Sequence, residues 1–228
     1  MKRLSVLAAS LALAASAQAA TVSYNFTSGF INTELIGIGG NLNLFDTTLG
    51  TLTGAVLTLR GEARGNITLS LGNTTSPSAS IKGTTLVDLE FSSTLAGMGA
   101  LLSAASPDIA LSYTTGFQTL QPNSSQSFGP FSDIDTAVFD LGALGLLAGA
   151  QMSGIGSFGV SCDSFTSLTL GGGSGFAGGG QSTQAKCGAD IVYTYDAATT
   201  GRVPEPTSLA LVGLALAGLG ALRRRKAM

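Results

Sequence analysis

Apolar and polar residues alternate along most of the chain between its two ends. Val22, Tyr24 and Phe26 share one side of an extended segment, with Thr21, Ser23 and Asn25 on the other. Leu57 and Leu59 oppose Thr58 and Arg60, and Ile67, Leu69 and Leu71 oppose Thr68 and Ser70. Ile109, Leu111 and Tyr113 repeat the pattern, as do Leu168 with Leu170 and Ile191 with Tyr193 and Tyr195. A period of two gives a strand one dry face and one wet face. Stretches 61–66, 72–80, 121–126 and 171–181 are rich in turn residues and are predicted to separate the strands, with the Gly run 171–180 as a mobile loop. Many short strands with such breaks predict an all-β domain, a β-sandwich of antiparallel strands over residues 20–200. Segments 96–105 and 143–150 are rich in Leu, Ala and Gly. They read as short helices or buried strands, and periodicity does not choose between the two.

The two ends break the alternation. Lys2 and Arg3 precede an apolar run over 4–15, and Ala17-Gln18-Ala19 follows with small residues at both positions a signal peptidase inspects. This predicts a signal peptide over 1–19, cleaved after Ala19. The alternative is an N-terminal anchor, for which the apolar run is short. At the other end, residues 203–228 hold three pieces in order. Val203-Pro204-Glu205-Pro206 is kept extended by its two prolines. Residues 208–222 are uncharged and apolar, a predicted short transmembrane helix of about 22 Å against a hydrocarbon core of roughly 30 Å. Arg223, Arg224, Arg225 and Lys226 close the segment and orient its end toward the cytoplasm. The alternative is an ordinary tail anchor behind a Pro-rich linker.

In that order the three pieces resemble the PEP-CTERM sorting domain of Gram-negative bacteria. The resemblance implies a membrane-embedded transpeptidase, exosortase, that recognises Pro204, Glu205 and Pro206 and removes the tail. It also implies a link to exopolysaccharide and biofilm. The middle of the chain resembles the exported choice-of-anchor domains, type E in particular. That likeness runs through Thr21-Val22-Ser23-Tyr24, Phe45-Asp46-Thr47-Thr48-Leu49-Gly50-Thr51-Leu52, Ser127-Phe128-Gly129-Pro130 and Val192-Tyr193-Thr194-Tyr195. It implies a β-rich surface domain and carries over no catalytic residue.

Composition narrows the chemistry. Charged residues are 11% of the chain and the net charge is −2, which gives no footprint for nucleic acid. There is no His, which excludes Ser-His-Asp and Cys-His nucleophiles and His-ligated metal. Cys162 and Cys187 are the two cysteines, and in an exported chain they are expected to pair. A reactive thiol is the alternative, and no local motif supports it. Asp133 and Asp135, with Asp140 beyond, offer hard oxygens for Ca²⁺, although a solvated strand or turn face explains the first pair as well. Glu34, Asp46, Glu62, Asp88 and Glu90 supply acids without marking any pair as a glycosidase dyad.

The expectation is therefore a non-enzymatic exported surface or matrix protein, without cofactor or metal. It meets signal peptidase, exosortase and, transiently, the inner membrane, and ends at the cell surface or outside the cell. A second expectation is a carbohydrate-binding module for the secreted exopolysaccharide, with Tyr113, Phe117 and Phe128 as stacking faces.

Overall fold

The computed structural model describes residues 19–34, 37–73, 78–104, 109–147, 152–173 and 177–198, with Gly213 standing alone. The elements in chain order are β1 (Ala19–Thr27), β2 (Ile31–Asn32), β3 (Ile38–Asn43), β4 (Gly50–Leu71), β5 (Ala79–Ser93), α1 (Met98–Ala104), β6 (Ile109–Leu120), β7 (Ser124–Asp140), β8 (Ser157–Gly172) and β9 (Ala177–Ala197). One sheet runs β1-β9-β4-β7, with β2 extending the β1 side of β9, and the other runs β3-β8-β5-β6. All these pairings are antiparallel. The sheets face each other with β1 over β3, β9 over β8, β4 over β5 and β7 over β6. The predicted sandwich is thus present, and its strand order is that of a jelly roll.

The alternation read from the sequence sets the faces. Leu57, Leu59, Ile67, Leu69, Ile109, Leu111, Ile191 and Tyr193 are all buried. Val22, Tyr24 and Phe26 are half-buried and pack on the main core.

Two predicted breaks are strand. Residues 61–66 lie in the middle of β4, which pairs there with both β9 and β7. β4 has 22 residues, about 70 Å at 3.3 Å each. In Arg60-Gly61-Glu62-Ala63-Arg64-Gly65 the inward positions are the small ones, so a continuing strand resembles a turn in composition. Gly61 must be small, because a Cβ there would run into Leu89 and lie 3.0 Å from Ile109. The Gly-rich run is corrected likewise. β8 continues to Gly172 and β9 begins at Ala177, so most of the expected mobile loop is strand, and residues 174–176 lie outside the described residues. Of the ambiguous segments, 96–105 contains α1, with Met98 and Leu102 buried, whereas 143–147 is a chain of turns. Residues 1–18 and the predicted tail helix fall outside the described residues, Gly213 excepted. Among the described residues no helix is long and apolar enough to cross a membrane.

The core has two apolar clusters. The larger includes Leu57, Leu59, Val87, Leu89, Phe91, Leu111 and Tyr193. The smaller holds Ile67, Leu69, Leu71, Ile81, Tyr113 and Leu120. Cys162 on β8 and Cys187 on β9 form the expected disulfide, with Cα atoms 6.6 Å apart. The bond joins the two sheets inside the larger cluster. Tyr193 makes a second tie, donating from its hydroxyl to Asn43 O at 2.9 Å across the sandwich. Burial, and then the neighbouring Tyr24, hold the Tyr193 phenol proton well above its ordinary pKa.

The disulfide closes a loop with a sequence separation of 25, worth about 3.5 kcal/mol by loop-closure entropy. Replacing both cysteines by Ala should lower unfolding free energy by roughly that amount in a denaturant titration, with the spectrum of the folded form unchanged. Gly61→Val should cost about 1–3 kcal/mol by overpacking against Leu89 and Ile109.

Candidate functional site

The two apolar clusters are divided by a layer of polar side chains that crosses the sandwich. These side chains sit at inward positions of strands that are otherwise apolar inside. Thr85 on β5, Ser164 on β8 and Thr183 on β9 are buried. At the β6 end of the layer, the Tyr113 hydroxyl and Thr183 Oγ1 lie 3.1 Å apart. Thr85 Oγ1 donates to Gln181 Oε1 at 2.9 Å, and Gln181 Nε2 donates to Thr166 Oγ1 at 3.1 Å. Thr166 Oγ1 donates to Glu34 Oε1 at 3.2 Å, which carries the chain of contacts to the surface. The backbone N–H of Glu34 reaches Ser164 O at 3.0 Å, with Ser164 Oγ at 3.2 Å. Buried hydroxyls and amides are costly unless partnered, and here they partner one another.

Where this layer meets solvent there is a hollow of about 350 Å³, lined by Asn32, Thr33, Glu34, Thr166, Gln181, Ser182 and Thr183. Its lining is hydroxyls, amides and one carboxylate. Glu34 has φ of 69°, the left-handed region that a non-Gly residue seldom adopts. The Glu34 backbone bonds to Ser164 hold that conformation.

The outer face of the β9-β4 pair collects most of the domain's cations. Arg60 pairs with Asp190, and Lys186 with Glu62. The Arg64 guanidinium lies 3.8 Å from the Phe30 ring centroid and Lys186 Nζ 4.8 Å from it. Arg64 also donates twice to Gln184 Oε1, at 3.1 and 2.9 Å. These charges satisfy one another on a wet surface, where such pairs are worth little to stability.

The structure redistributes the residues singled out by sequence. Tyr113 is buried and stacked on Phe131, with ring centroids 5.6 Å apart, and Phe128 packs on the smaller cluster. Neither offers a face to a sugar, because each points inward by strand parity. Phe117 is 63% exposed, with Lys82 Nζ 5.5 Å from its ring. Asp133 Oδ2 accepts from the Ser112 N–H at 2.8 Å, capping an edge position of β6, and Asp133 Oδ1 accepts from Ile134 N–H. Asp135 accepts from Thr136 N–H at 2.7 Å, and Asp140 from Gly142 and Ala143 N–H. Among the described residues no cluster of three His, Cys, Asp or Glu is placed to hold a metal. Of the five candidate acids, Glu62 is in an ion pair, Glu34 is at the hollow, Thr48 holds the Asp46 carboxyl below its usual pKa through its backbone N–H, and Asp88 and Glu90 share the outward side of β5.

Ala19 is the first residue of β1, opposite Asp196. Ala17, Val203, Pro204, Glu205, Pro206, Arg223, Arg224 and Arg225 lie outside the described residues. Sequence reasoning missed the polar layer. Its trace is Gln181-Ser182-Thr183, a polar pair at inward positions of a strand that is apolar or small at every later one.

Residues 202–226 match the PEP-CTERM protein-sorting motif. The motif marks the chain as an extracellular protein that exosortase processes at the membrane. No curated protein matches the chain. Among solved structures, the chain is similar to turnip yellow mosaic virus at 9% identity and a TM-score of 0.17, covering 88% of this chain and 94% of that one. It is similar to the infectious bursal disease virus Gt strain at 12% identity and a TM-score of 0.15, covering 90% of this chain and 49% of that one. The parasporin-2 toxin of Bacillus thuringiensis follows at 10% identity and a TM-score of 0.19, with 78% and 68% covered. At these scores the superpositions add nothing to the topology described above.

Gln181→Ala should leave the Thr85 hydroxyl without its acceptor in the core. The expected cost is about 1–3 kcal/mol in chemical denaturation. Arg60→Ala, which removes only an exposed ion pair, should cost at most about 1 kcal/mol in the same measurement.

Proposed function

We propose that the domain is a non-enzymatic component of the cell surface or extracellular matrix, associated with exopolysaccharide and delivered by exosortase. The observation that carries this reading is the sorting motif over 202–226, which begins a few residues after the last strand of a sandwich. The leader over 1–19 takes the chain across the inner membrane, and signal peptidase cuts after Ala19. Residues 208–222 then hold the precursor in the bilayer while Arg223, Arg224, Arg225 and Lys226 stay on the cytoplasmic side. Pro204, Glu205 and Pro206 form the extended peptide that exosortase reads. Removal of the tail passes the domain to the surface or beyond it. The non-enzymatic reading is supported by the absence of His and by carboxylates engaged in ion pairs, edge capping and turns.

A second reading, a carbohydrate-binding module, is favoured by the hollow at Glu34. Hydroxyls, amides and one carboxylate in a shallow recess suit a polyhydroxylated ligand. The stacking residues first expected for this role are not the ones at the recess.

Glu205→Ala, or replacement of the Arg223–Lys226 cluster by neutral residues, should leave the full-length form in the membrane fraction. Mass spectrometry of the envelope and the medium checks this, and unchanged trimming of both variants overturns the sorting role. Affinity electrophoresis of the processed protein in the secreted polysaccharide separates the two readings of the domain. Retardation that Glu34→Ala abolishes supports a binding module, and free migration leaves the structural component.

A further inference from the structure

The chain enters and leaves the sandwich at one pole. Ala19 at the start of β1 is paired with Asp196 near the end of β9. Ala198 N–H then bonds to Leu49 O at 2.9 Å. The same pole carries the β3–β4 connection, the turns that follow β7 and the loop that precedes β8. Leu141 N–H bonds to Ala55 O there, and Gly154 N–H to Phe45 O. The apolar segment starts at Ser208, so the nine residues 199–207 lie between the sandwich and the bilayer. Fully extended they reach about 30 Å, and any bend brings the pole closer. The hold itself rests on the sorting reading given above.

Two large apolar side chains stand exposed at this pole, one of them more exposed than the apolar side chains on the sheet faces. Ile155 stands 104% exposed at the tip of Gly154-Ile155-Gly156, and Leu144 is 45% exposed in the turns after β7. Among the described residues here there is no Lys or Arg. The acids are Asp46 and Asp140, both committed to turn hydrogen bonds, and Asp196. Apolar tips without cations suit the interface of a bilayer through burial and not through attraction to anionic headgroups.

We propose that this pole is a lipid-docking surface, on which Ile155 and Leu144 enter the outer interface of the inner membrane while the tail is still attached. Docking sets the domain upright, with the Pro204-Glu205-Pro206 peptide held close to the headgroups. The hairpin ends at the far pole, near Ser125 and Gly172, point away from the membrane. Trimming removes the tether, and two apolar side chains alone do not keep a domain on a bilayer.

The test uses the full-length chain. Both native cysteines are paired, so one added cysteine carries a fluorophore alone. Ile155→Cys, Leu144→Cys and the far-pole control Ser125→Cys are each labelled and reconstituted in phosphatidylcholine vesicles with a quencher on the lipid chains. Labels at 155 and 144 should lose about half or more of their emission, because interfacial side chains sit roughly 5–10 Å deep. The label at 125 should be unaffected, and 1 M salt should change nothing. Unquenched labels at 155 and 144 in protein that floats with the vesicles overturn the proposal while the tail hold stands. Equal quenching at all three sites overturns it too, as does quenching that needs added exosortase. Protein that fails to float removes the tail hold and this docking with it.

Discussion

The pairing of β4 with β9 is the constraint on which the rest of the molecule depends. The two strands run antiparallel from Gly50 opposite Ala197 to Leu71 opposite Ala177. Each must keep one face dry over that whole length. The facing strands of the other sheet supply large side chains, and the middle of the β4-β9 pair answers with small ones. Gly61, Ala63 and Gly65 on β4 and Ala185, Cys187 and Ala189 on β9 occupy inward positions. Leu89 and Ile109 fill the space over Gly61, and the disulfide bridges the same stretch. Small against large is how two sheets with such long strands interdigitate without voids.

Length also makes register a problem that alternation cannot solve. A slip of one residue turns the dry face outward, but a slip of two preserves it. In a ladder as long as β4-β9 the apolar pattern therefore allows several registers of similar burial. The polar layer fixes β9 against the facing sheet, and Gly61 under Leu89 and Gly65 under the Tyr113 hydroxyl place β4 in turn. Thr85 meets Gln181 and Tyr113 meets Thr183 in one alignment only. Any other alignment leaves hydroxyls and an amide against apolar neighbours, at a cost for each unmet group. Cys162 and Cys187 fix the same alignment covalently. The layer thus bears on alignment as well as on stability, since each of its groups is satisfied only by its own partner.

The fold class and most strand faces were legible because period-two alternation is a local property of the chain. Leu57, Leu59, Ile67, Leu69, Ile191 and Tyr193 show it without reference to any partner. Strand length was not legible, because Gly61, Gly65 and the glycines around 171–180 have the composition of turns. At Gly61 and Gly179 that smallness answers what lies across the sandwich, Leu89 over Gly61 and Leu168 and Leu170 beside Gly179. The same limit applies to the site. Tyr113 and Phe128 looked available for stacking, since an aromatic at an alternating position does not announce which face is dry. The hollow at Glu34 joins residues from β2, β8 and β9 that are far apart in sequence. The sorting motif was legible, because its pieces are contiguous and each has a local physical meaning.

The position of β9 makes the tail separable from the domain. The last strand lies between β1 and β4, and its final residue reaches the pole, not the interior. The last backbone bond described there is from Ala198 to Leu49, ahead of Pro204. Among the described residues, the ladder bonds of β9, the buried core side chains and the disulfide all lie ahead of Pro204. The described ladder, the two apolar clusters and the polar layer are built from residues that precede the sorting motif. A sorting signal is best placed beyond the last strand, where it adds no break to the ladder ahead of it. Antiparallel return of β9 beside the first strand supplies such a place.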